Sequence, residues 1–155
     1  MAGGVFDLTT AEQMLAKFRL EVDTFKGEES SRNAMNAIWT GYHLLEWIWN
    51  ERLHGDNARQ ALASVRSEAD LRAKVKSEHP LFEAVRLLAN GSKHFERKPG
   101  DPTTGAHQGA FSKAFSRGFD VDYLFVDFAG ARHDLVAVLD GLLKYWAQFF
   151  TTYLR

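Results

Sequence analysis

The segment from Asn33 to Leu53 constrains the fold of this chain more than any other stretch, because it predicts a helix that is apolar on most sides. Large apolar side chains recur every three or four positions along it, which is the spacing of one helix face. Its second half adds further apolar residues, so the apolar surface widens nearly all the way round. Such a helix packs on several sides, and we therefore expect it in the middle of a bundle. The stripe consists of Met35, Ile38, Tyr42, Leu45 and Trp49, widened by Leu44, Trp47 and Ile48.

Three more major helices are predicted around the central one. The first begins at a capping box on Thr9 or Thr10 and ends at Gly27. Residues 57–78 predict one or two polar helices on the outside of the bundle. The next major helix runs from Pro80 to Asn90, with a continuation to His94 left open. The last helix carries a heptad-like stripe wide enough for both an internal core and a partner chain: Leu135, Leu139, Leu142, Trp146, Phe149 and Tyr153.

The stretch before the last helix has a different character. Residues 96–109 hold two of the three prolines and predict a loop. Residues 121–128 are rich in β-branched and aromatic side chains, and Ala129-Gly130 offers a turn. We expect a small β-hairpin or flap over about 109–130, packed on the helices because an isolated hairpin is unstable. The predicted fold class is mainly α: a single domain over residues 1–155, formed by an up-and-down helical bundle of four major helices with a small β-hairpin inserted before the C-terminal helix.

Composition excludes several classes of protein. The chain has no cysteine, so disulfides, thiolate metal sites and cysteine nucleophiles are absent. A formal net charge of −1 gives no reason to expect non-specific binding to nucleic acid. No apolar run approaches the ~20 residues that cross a bilayer, and the first residues lack the features of a signal peptide. We expect a cytoplasmic protein without a membrane partner and, since no Gly-rich phosphate loop is found, without a cofactor.

The candidate site for chemistry is a set of polar residues at intervals of four. Arg86, Asn90 and His94 would share one face of a continuous helix. Metal-independent RNA cleavage needs such a pair, because a histidine transfers a proton near neutral pH and an arginine holds the scissile phosphate. Arg86 and His94 are therefore the candidate catalytic residues. Asn90, Lys93 and Arg97 are the candidate binding residues beside them.

This pattern resembles the HEPN superfamily of small α-helical bundles, which are often dimeric and occur in toxin–antitoxin, abortive-infection and CRISPR-linked defence. Active members carry an arginine, usually followed by a polar residue, and a histidine a few positions later. Here Leu87 follows Arg86, and seven residues separate Arg86 from His94. The resemblance implies a homodimeric binding or accessory module in prokaryotic defence or a mobile element, with RNA or a protein as partner. The alternative that it implies is a metal-independent endoribonuclease using Arg86 and His94.

The central helix carries a second similarity. Its residues Gly41–Trp49 are similar to a YHLxEWIW-like helix of uncharacterised bacterial proteins that also contain a later Lys-His-Phe. The matching tripeptide here is Lys93–Phe95. This similarity implies no known activity.

A purely structural explanation of the same residues stays open. Asn90-Gly91-Ser92 is a common sequence at the end of a helix. Lys93 and His94 directly after it would interact favourably with the negative end of the helix macrodipole. On this interpretation the histidine and the lysine stabilise a helix end and contact no substrate.

A metal site is the third hypothesis. His43 and Glu46 lie on one turn of the central helix, and helical bundles hold metals with glutamate and histidine side chains from facing helices. Glu83 and His94 would have to complete the set of ligands. A hydrogen-bonded pair of polar side chains is the structural alternative for His43 and Glu46.

Overall fold

Helices joined by short turns account for most of the computed structural model, which describes residues 4–92, 98–110 and 120–155. The fold is mainly helical, with a small three-stranded antiparallel sheet placed before the C-terminal helix. This confirms two parts of the prediction: the mainly α class and a small β element before the last helix. The helices are α1 (Ala11–Gly27), α2 (Ser31–Trp47), α3 (Asn57–Ala63), α4 (Glu68–Glu78), α5 (Phe82–Gly91) and α6 (Leu135–Tyr153), and the strands are β1 (Thr103–His107), β2 (Tyr123–Phe128) and β3 (Ala131–Asp134).

Side-chain caps fix where the helices begin. Thr10 and Gln13 form the predicted capping box at α1, in which each side chain accepts the backbone N–H of the other residue. Ser30 and Ser67 cap α2 and α4, each accepting the N–H three residues further on. Because these bonds satisfy helical N–H groups that have no partner inside the helix, they localise the starts of the helices. α5 begins at Phe82, two residues after the predicted Pro80.

α2 is the central helix, as its apolar pattern predicted. It packs against α1, α5 and α6. At Gly41 the packing is so close that an added Cβ would lie 2.8 Å from the ring of Phe18 and 3.2 Å from a methyl of Leu142. The indole Nε1 of Trp146 donates to the backbone oxygen of Gly41 at 3.1 Å. Trp39 is the exception on this helix, with 41% of its surface exposed.

The end of the central helix differs from the prediction, which continued one α-helix to Leu53. Ile48–Leu53 is π-helical, with one more residue per turn than its sequence pattern indicates. This turn directs Glu51 to the start of α1, where its carboxylate accepts the N–H of Ala11 at 3.1 Å. Arg52 on the same turn pairs with Glu12 and donates to the backbone oxygen of Leu154. The wider turn therefore occurs together with contacts to the start of α1 and to Leu154, which follows α6.

The sheet has the order β1-β2-β3, so β1 and β3 are its edges. β2 and β3 are joined by Ala129 and Gly130, both at positive φ (51° and 80°), which is the two-residue turn typical of a hairpin. β1 lies inside the stretch predicted as loop, and this part of the prediction is wrong because pairing with β2 forms a strand there. Residues 111–119, which belong to the predicted flap, lie outside the described residues.

The stripe of α6 faces the core. Leu135, Leu139, Leu142, Trp146 and Phe149 are buried, and Tyr153 is partly buried. Within the described ranges the exposed large hydrophobic side chains belong to other elements: Val5, Phe6, Leu20, Trp39 and Leu62. The width of the stripe is thus explained by packing inside the chain. Among the described helices, none is both long and apolar enough to cross a bilayer.

Candidate functional site

Among the described residues, the site candidates Arg86, Asn90 and His43 stand on α5 and α2, two helices that pack against each other. Trp39 of α2 donates its indole Nε1 to Ser92 Oγ, after the end of α5, at 2.8 Å. The ring of Tyr42, one turn further along α2, lies 6.2 Å from the ring of Phe82 at the start of α5. The two helices are therefore antiparallel. We call the surface along this contact the α2–α5 seam; it carries Trp39, Tyr42, His43, Arg86 and Asn90.

Arg86 is held by a carboxylate of its own helix. Its Nε and Nη2 donate to the two oxygens of Glu83 at 2.8 and 2.6 Å, a geometry with two parallel hydrogen bonds. The ammonium of Lys76 lies 3.6 Å from the same carboxylate. The Arg86 guanidinium holds the pKa of Glu83 below its ordinary value, and the same hydrogen bonds raise the pKa of Arg86. The arginine is therefore charged, rigid and already paired.

Asn90 stands in the last turn of α5, which ends at Gly91 as the helix-stop sequence predicted. Ser92 closes the helix: its N–H donates to the oxygen of Leu88 at 3.1 Å, and its hydroxyl donates to the oxygen of Ala89 at 2.7 Å. Ser92 therefore stabilises the end of α5 and, through its hydrogen bond with Trp39, links this end to the neighbouring α2. The remaining site residues, Lys93, His94 and Arg97, lie outside the described residues, so the relation of Arg86 to His94 stays a prediction.

His43 and Glu46 are neighbours on α2. The Nδ1 of His43 lies 3.8 Å from a carboxylate oxygen of Glu46, and both side chains are partly exposed. The ring of His43 lies 5.0 Å from that of Tyr42. Glu83, which the metal hypothesis needs as a further ligand, binds Arg86 instead. Over residues 4–92, 98–110 and 120–155 there is no group of three or more histidine and carboxylate side chains arranged to hold a metal.

A cavity of about 730 Å³ lies between the seam and the sheet. Its walls come from the first half of α2, from the end of α5, from β1 and β2, and from the first residue of α6. Most of the lining is apolar, with hydroxyl groups at the margins, which is the composition common to binding grooves. We call this cavity the α2–α5 groove; its lining includes Ala34, Met35, Ile38, Leu88, Thr104 and Leu124.

Three features of this region were missed from the sequence. Glu83 stands three residues before Arg86, a spacing at which opposite charges on a helix pair, so this partner was readable from the sequence. The groove was not readable, because its walls come from several elements that lie far apart in the chain. Trp39 lies outside the apolar stripe predicted for the central helix, and its spacing assigns it no role at the seam.

No protein-family model, curated protein or solved structure matches this chain.

Proposed function

We propose that this chain is a HEPN-like helical binding module with an accessory role. The observation that carries the proposal is the pairing of Arg86 with Glu83 through hydrogen bonds of 2.8 and 2.6 Å. The arginine that the resemblance makes catalytic already has an anionic partner within its own helix.

Glu83 competes with any phosphate for Arg86. RNA cleavage requires an arginine to direct several N–H groups at the scissile phosphate while negative charge develops there. In α5 the Nε and one N–H of the Nη2 of Arg86 donate to the carboxylate, which leaves the two Nη1 N–H groups and the second Nη2 N–H for another acceptor. Lys76, 3.6 Å from the same carboxylate, is drawn to it as well. Because Glu83 compensates one of these two positive charges, the attraction of the seam for a polyanion is reduced and a partner held by apolar contacts is favoured.

The α2–α5 groove supports binding of a protein segment. Met35, Ile38 and Leu88 give it an apolar wall, and Trp39 presents a partly exposed indole at the neighbouring seam. Aromatic side chains of this kind are frequent in protein–protein contacts, because they bring a large apolar area at a small cost in conformational entropy. A protein partner is therefore our choice between the two classes, RNA and protein, that the resemblance implies.

The finer parts of the proposal come from the sequence pattern and from the resemblance. They are an up-and-down arrangement of four major helices, a homodimer, a cytoplasmic location, and a role in prokaryotic defence or a mobile element. Sedimentation of the purified chain at several concentrations tests the dimer directly. A sedimentation coefficient of a monomer at all concentrations contradicts that part of the proposal without affecting the others.

The catalytic alternative keeps one observation in its favour: Arg86 is held rigidly in a charged state, as an arginine that stabilises a transition state must be. In this alternative Arg86 and His94 cleave RNA without a metal, with Asn90 and Lys93 assisting.

An RNA-cleavage assay in EDTA distinguishes the accessory role from the catalytic alternative. The purified chain is incubated with single-stranded RNA beside the Arg86→Ala and His94→Ala variants, and thermal unfolding checks that each variant folds. We expect the wild type to cleave no faster than a sample without protein. Cleavage by the wild type that both folded variants lose would establish the nuclease and refute the accessory role.

Site-specific crosslinking tests the binding surface. A photo-reactive amino acid replaces Trp39 in one variant and Leu20 in the control, since both positions expose a large apolar side chain, 41% and 66% respectively. In cells of the native host we expect a defined protein adduct at position 39 and none at position 20. Equal adducts at both positions, or none at position 39, count against the seam as the binding surface.

A further inference from the structure

His79 connects three helices. Its N–H donates to the oxygen of Val75 at 2.8 Å and closes α4, and its own oxygen accepts the N–H of Phe82 at 2.9 Å where α5 begins. Its side chain turns towards α6. The backbone of His79 thus joins α4 to α5, and its ring fastens that junction to a third helix.

The ring of His79 packs on α6 through ring stacking and van der Waals contact. It stacks on the ring of Tyr145, with centroids 5.7 Å apart and 30° between the planes. One turn earlier, Gly141 lies beside the imidazole, where an added Cβ would be in van der Waals contact with Cε1 of His79 at 3.4 Å. The Nε2 of His79 is buried and has no hydrogen-bond partner among the described residues. The neutral ring therefore fits this position, whereas a charged ring would bury an N–H without an acceptor.

The carboxylate next to His79 is already engaged. Glu78 accepts from the ammonium of Lys74 at 2.5 Å and from the hydroxyl of Tyr145 at 2.7 Å, so each of its oxygens has a donor. The Lys74 ammonium also lies over the ring of Tyr153, 5.1 Å from its centroid. Glu78 is therefore not free to compensate a proton on the neighbouring His79.

The carboxylates of the other two helices that meet at His79 are engaged in the same way. On α6, Asp140 binds Lys26 at 2.5 Å and Lys144 at 2.9 Å. On α5, Glu83 binds Arg86. A protonated His79 would therefore have to draw a carboxylate out of an existing ion pair or leave its site.

We propose that His79 is an acid-released latch: its neutral ring holds the α4–α5 junction against α6, and protonation releases the junction. This inference does not depend on the binding role proposed above. Burial lowers the pKa of His79 below its ordinary value, so the proton binds more strongly when the latch is open. With a lowered pKa in the closed state, the latch is most stable above the ordinary pKa of about 6.5, and it weakens as the pH falls below that value. One proton taken up on opening increases the opening equilibrium by up to about tenfold per pH unit.

Hydrogen exchange across the junction tests the latch. The amides of His79 and Phe82 are followed between pH 7.5 and 5, with each rate corrected for the intrinsic pH dependence of exchange. The wild type is compared with His79→Phe, which keeps an aromatic ring for Tyr145 but cannot titrate, and with His54→Gln at an exposed turn. We expect the corrected exchange to accelerate several-fold to tenfold in the wild type and in His54→Gln, and to stay flat in His79→Phe. Acceleration that persists in His79→Phe, or its absence in the wild type, overturns the proposal.

A titration of the unmodified protein decides the case if His79→Phe does not fold. The Cε1 proton of His79 is followed by NMR through the same pH range. We expect its midpoint below about 6.5 and the loss of junction protection in the same range. A midpoint at or above 6.5 overturns the latch.

Discussion

Arg86 and Glu83, three residues apart on α5, hold each other through two hydrogen bonds, from Nε to Oε2 at 2.8 Å and from Nη2 to Oε1 at 2.6 Å. The role inferred for Arg86 depends on whether its pairing with Glu83 is known. The resemblance proposes Arg86 as a catalytic arginine, whereas the structure shows it as one half of an ion pair with Glu83.

Replacing Glu83 with glutamine tests the contribution of this pair to stability. At pH 7 we expect Glu83→Gln to lower the free energy of unfolding by about 1 kcal/mol, because the guanidinium loses a charged acceptor. The pKa of Glu83 is lowered in the folded chain, so the pair stabilises the fold above the ordinary glutamate pKa of about 4.3. That stability is lost as the pH falls through the lowered value, and the difference between wild type and variant should shrink in acid.

Urea unfolding at pH 7 and near pH 3 measures this difference. Glu46→Gln is the matched control, since its side chain is 61% exposed and lies 3.8 Å from His43. We expect the control to lose little free energy of unfolding at either pH. A loss of equal size in both variants, or one that does not change with pH, shows that the Arg86–Glu83 pair does not stabilise the fold.

Adding a single methyl group at Gly41 should disturb the centre of the bundle. Gly41→Ala places a Cβ 2.8 Å from the Phe18 ring and 3.2 Å from Leu142, and we expect a loss of about 1–3 kcal/mol from overpacking. Gly27→Ala is the control, because no atom lies within 4 Å of the added Cβ at the end of α1. Thermal unfolding compares the two. A tolerated Gly41→Ala contradicts the close approach of α1 and α6 to α2.

The cap of α4 should carry a measurable share of local stability. Ser67 Oγ accepts the N–H of Asp70 at 3.0 Å, so Ser67→Ala removes the acceptor of an otherwise unpaired helical N–H. We expect a loss of about 1 kcal/mol. Ser77→Ala, at an exposed position near the other end of the same helix, should have almost no effect in the same denaturation experiment. Equal losses from both variants would falsify the capping role.

The bond between Trp39 and Ser92 should be visible in fluorescence. Ser92→Ala removes the hydroxyl that accepts from the indole Nε1 at 2.8 Å, and the partly exposed ring should then become more exposed to water. We expect the emission of Trp39, taken as the difference between the protein and its Trp39→Phe form, to shift to longer wavelength. An unchanged difference spectrum shows that Ser92 does not fix the ring.

Local signals in the sequence predicted the helices well. Thr10, Ser30 and Ser67 are caps whose bonds reach only three residues, and Gly27 and Gly91 stand at helix ends, so neighbouring residues define these boundaries. The burial of α2 likewise followed from a local signal, the apolar periodicity of its own residues.

The missed elements depend on distant parts of the chain. β1 reads Thr-Thr-Gly-Ala-His, which favours no strand by itself, and it forms one because β2 pairs with it and the Phe125 ring covers Gly105. The π-helical turn likewise belongs with contacts that Arg52 makes to α1 and to Leu154. Local periodicity carries no information on such pairings.

For the candidate site, the sequence predicted which residues are polar on one face of α5, and it did not predict the groove. The sequence singles out Arg86, and the resemblance implies a catalytic role for it without its partner Glu83; that role stays a prediction. The groove needs residues of α2, α5, α6, β1 and β2 together, and their approach is a property of the whole fold.

α1 and α6 pack together although 114 positions separate Lys26 from Asp140, whose side chains lie 2.5 Å apart. Gly41 of α2 is covered from both sides, by Phe18 of α1 and by Leu142 of α6. During synthesis the ribosome releases α1 and α2 long before α6, and the apolar surface that they share stays open to water in the meantime. Folding of the core therefore waits for translation of the last helix. Throughout that interval α1 and α2 expose an apolar surface to which chaperones can bind and through which chains can aggregate.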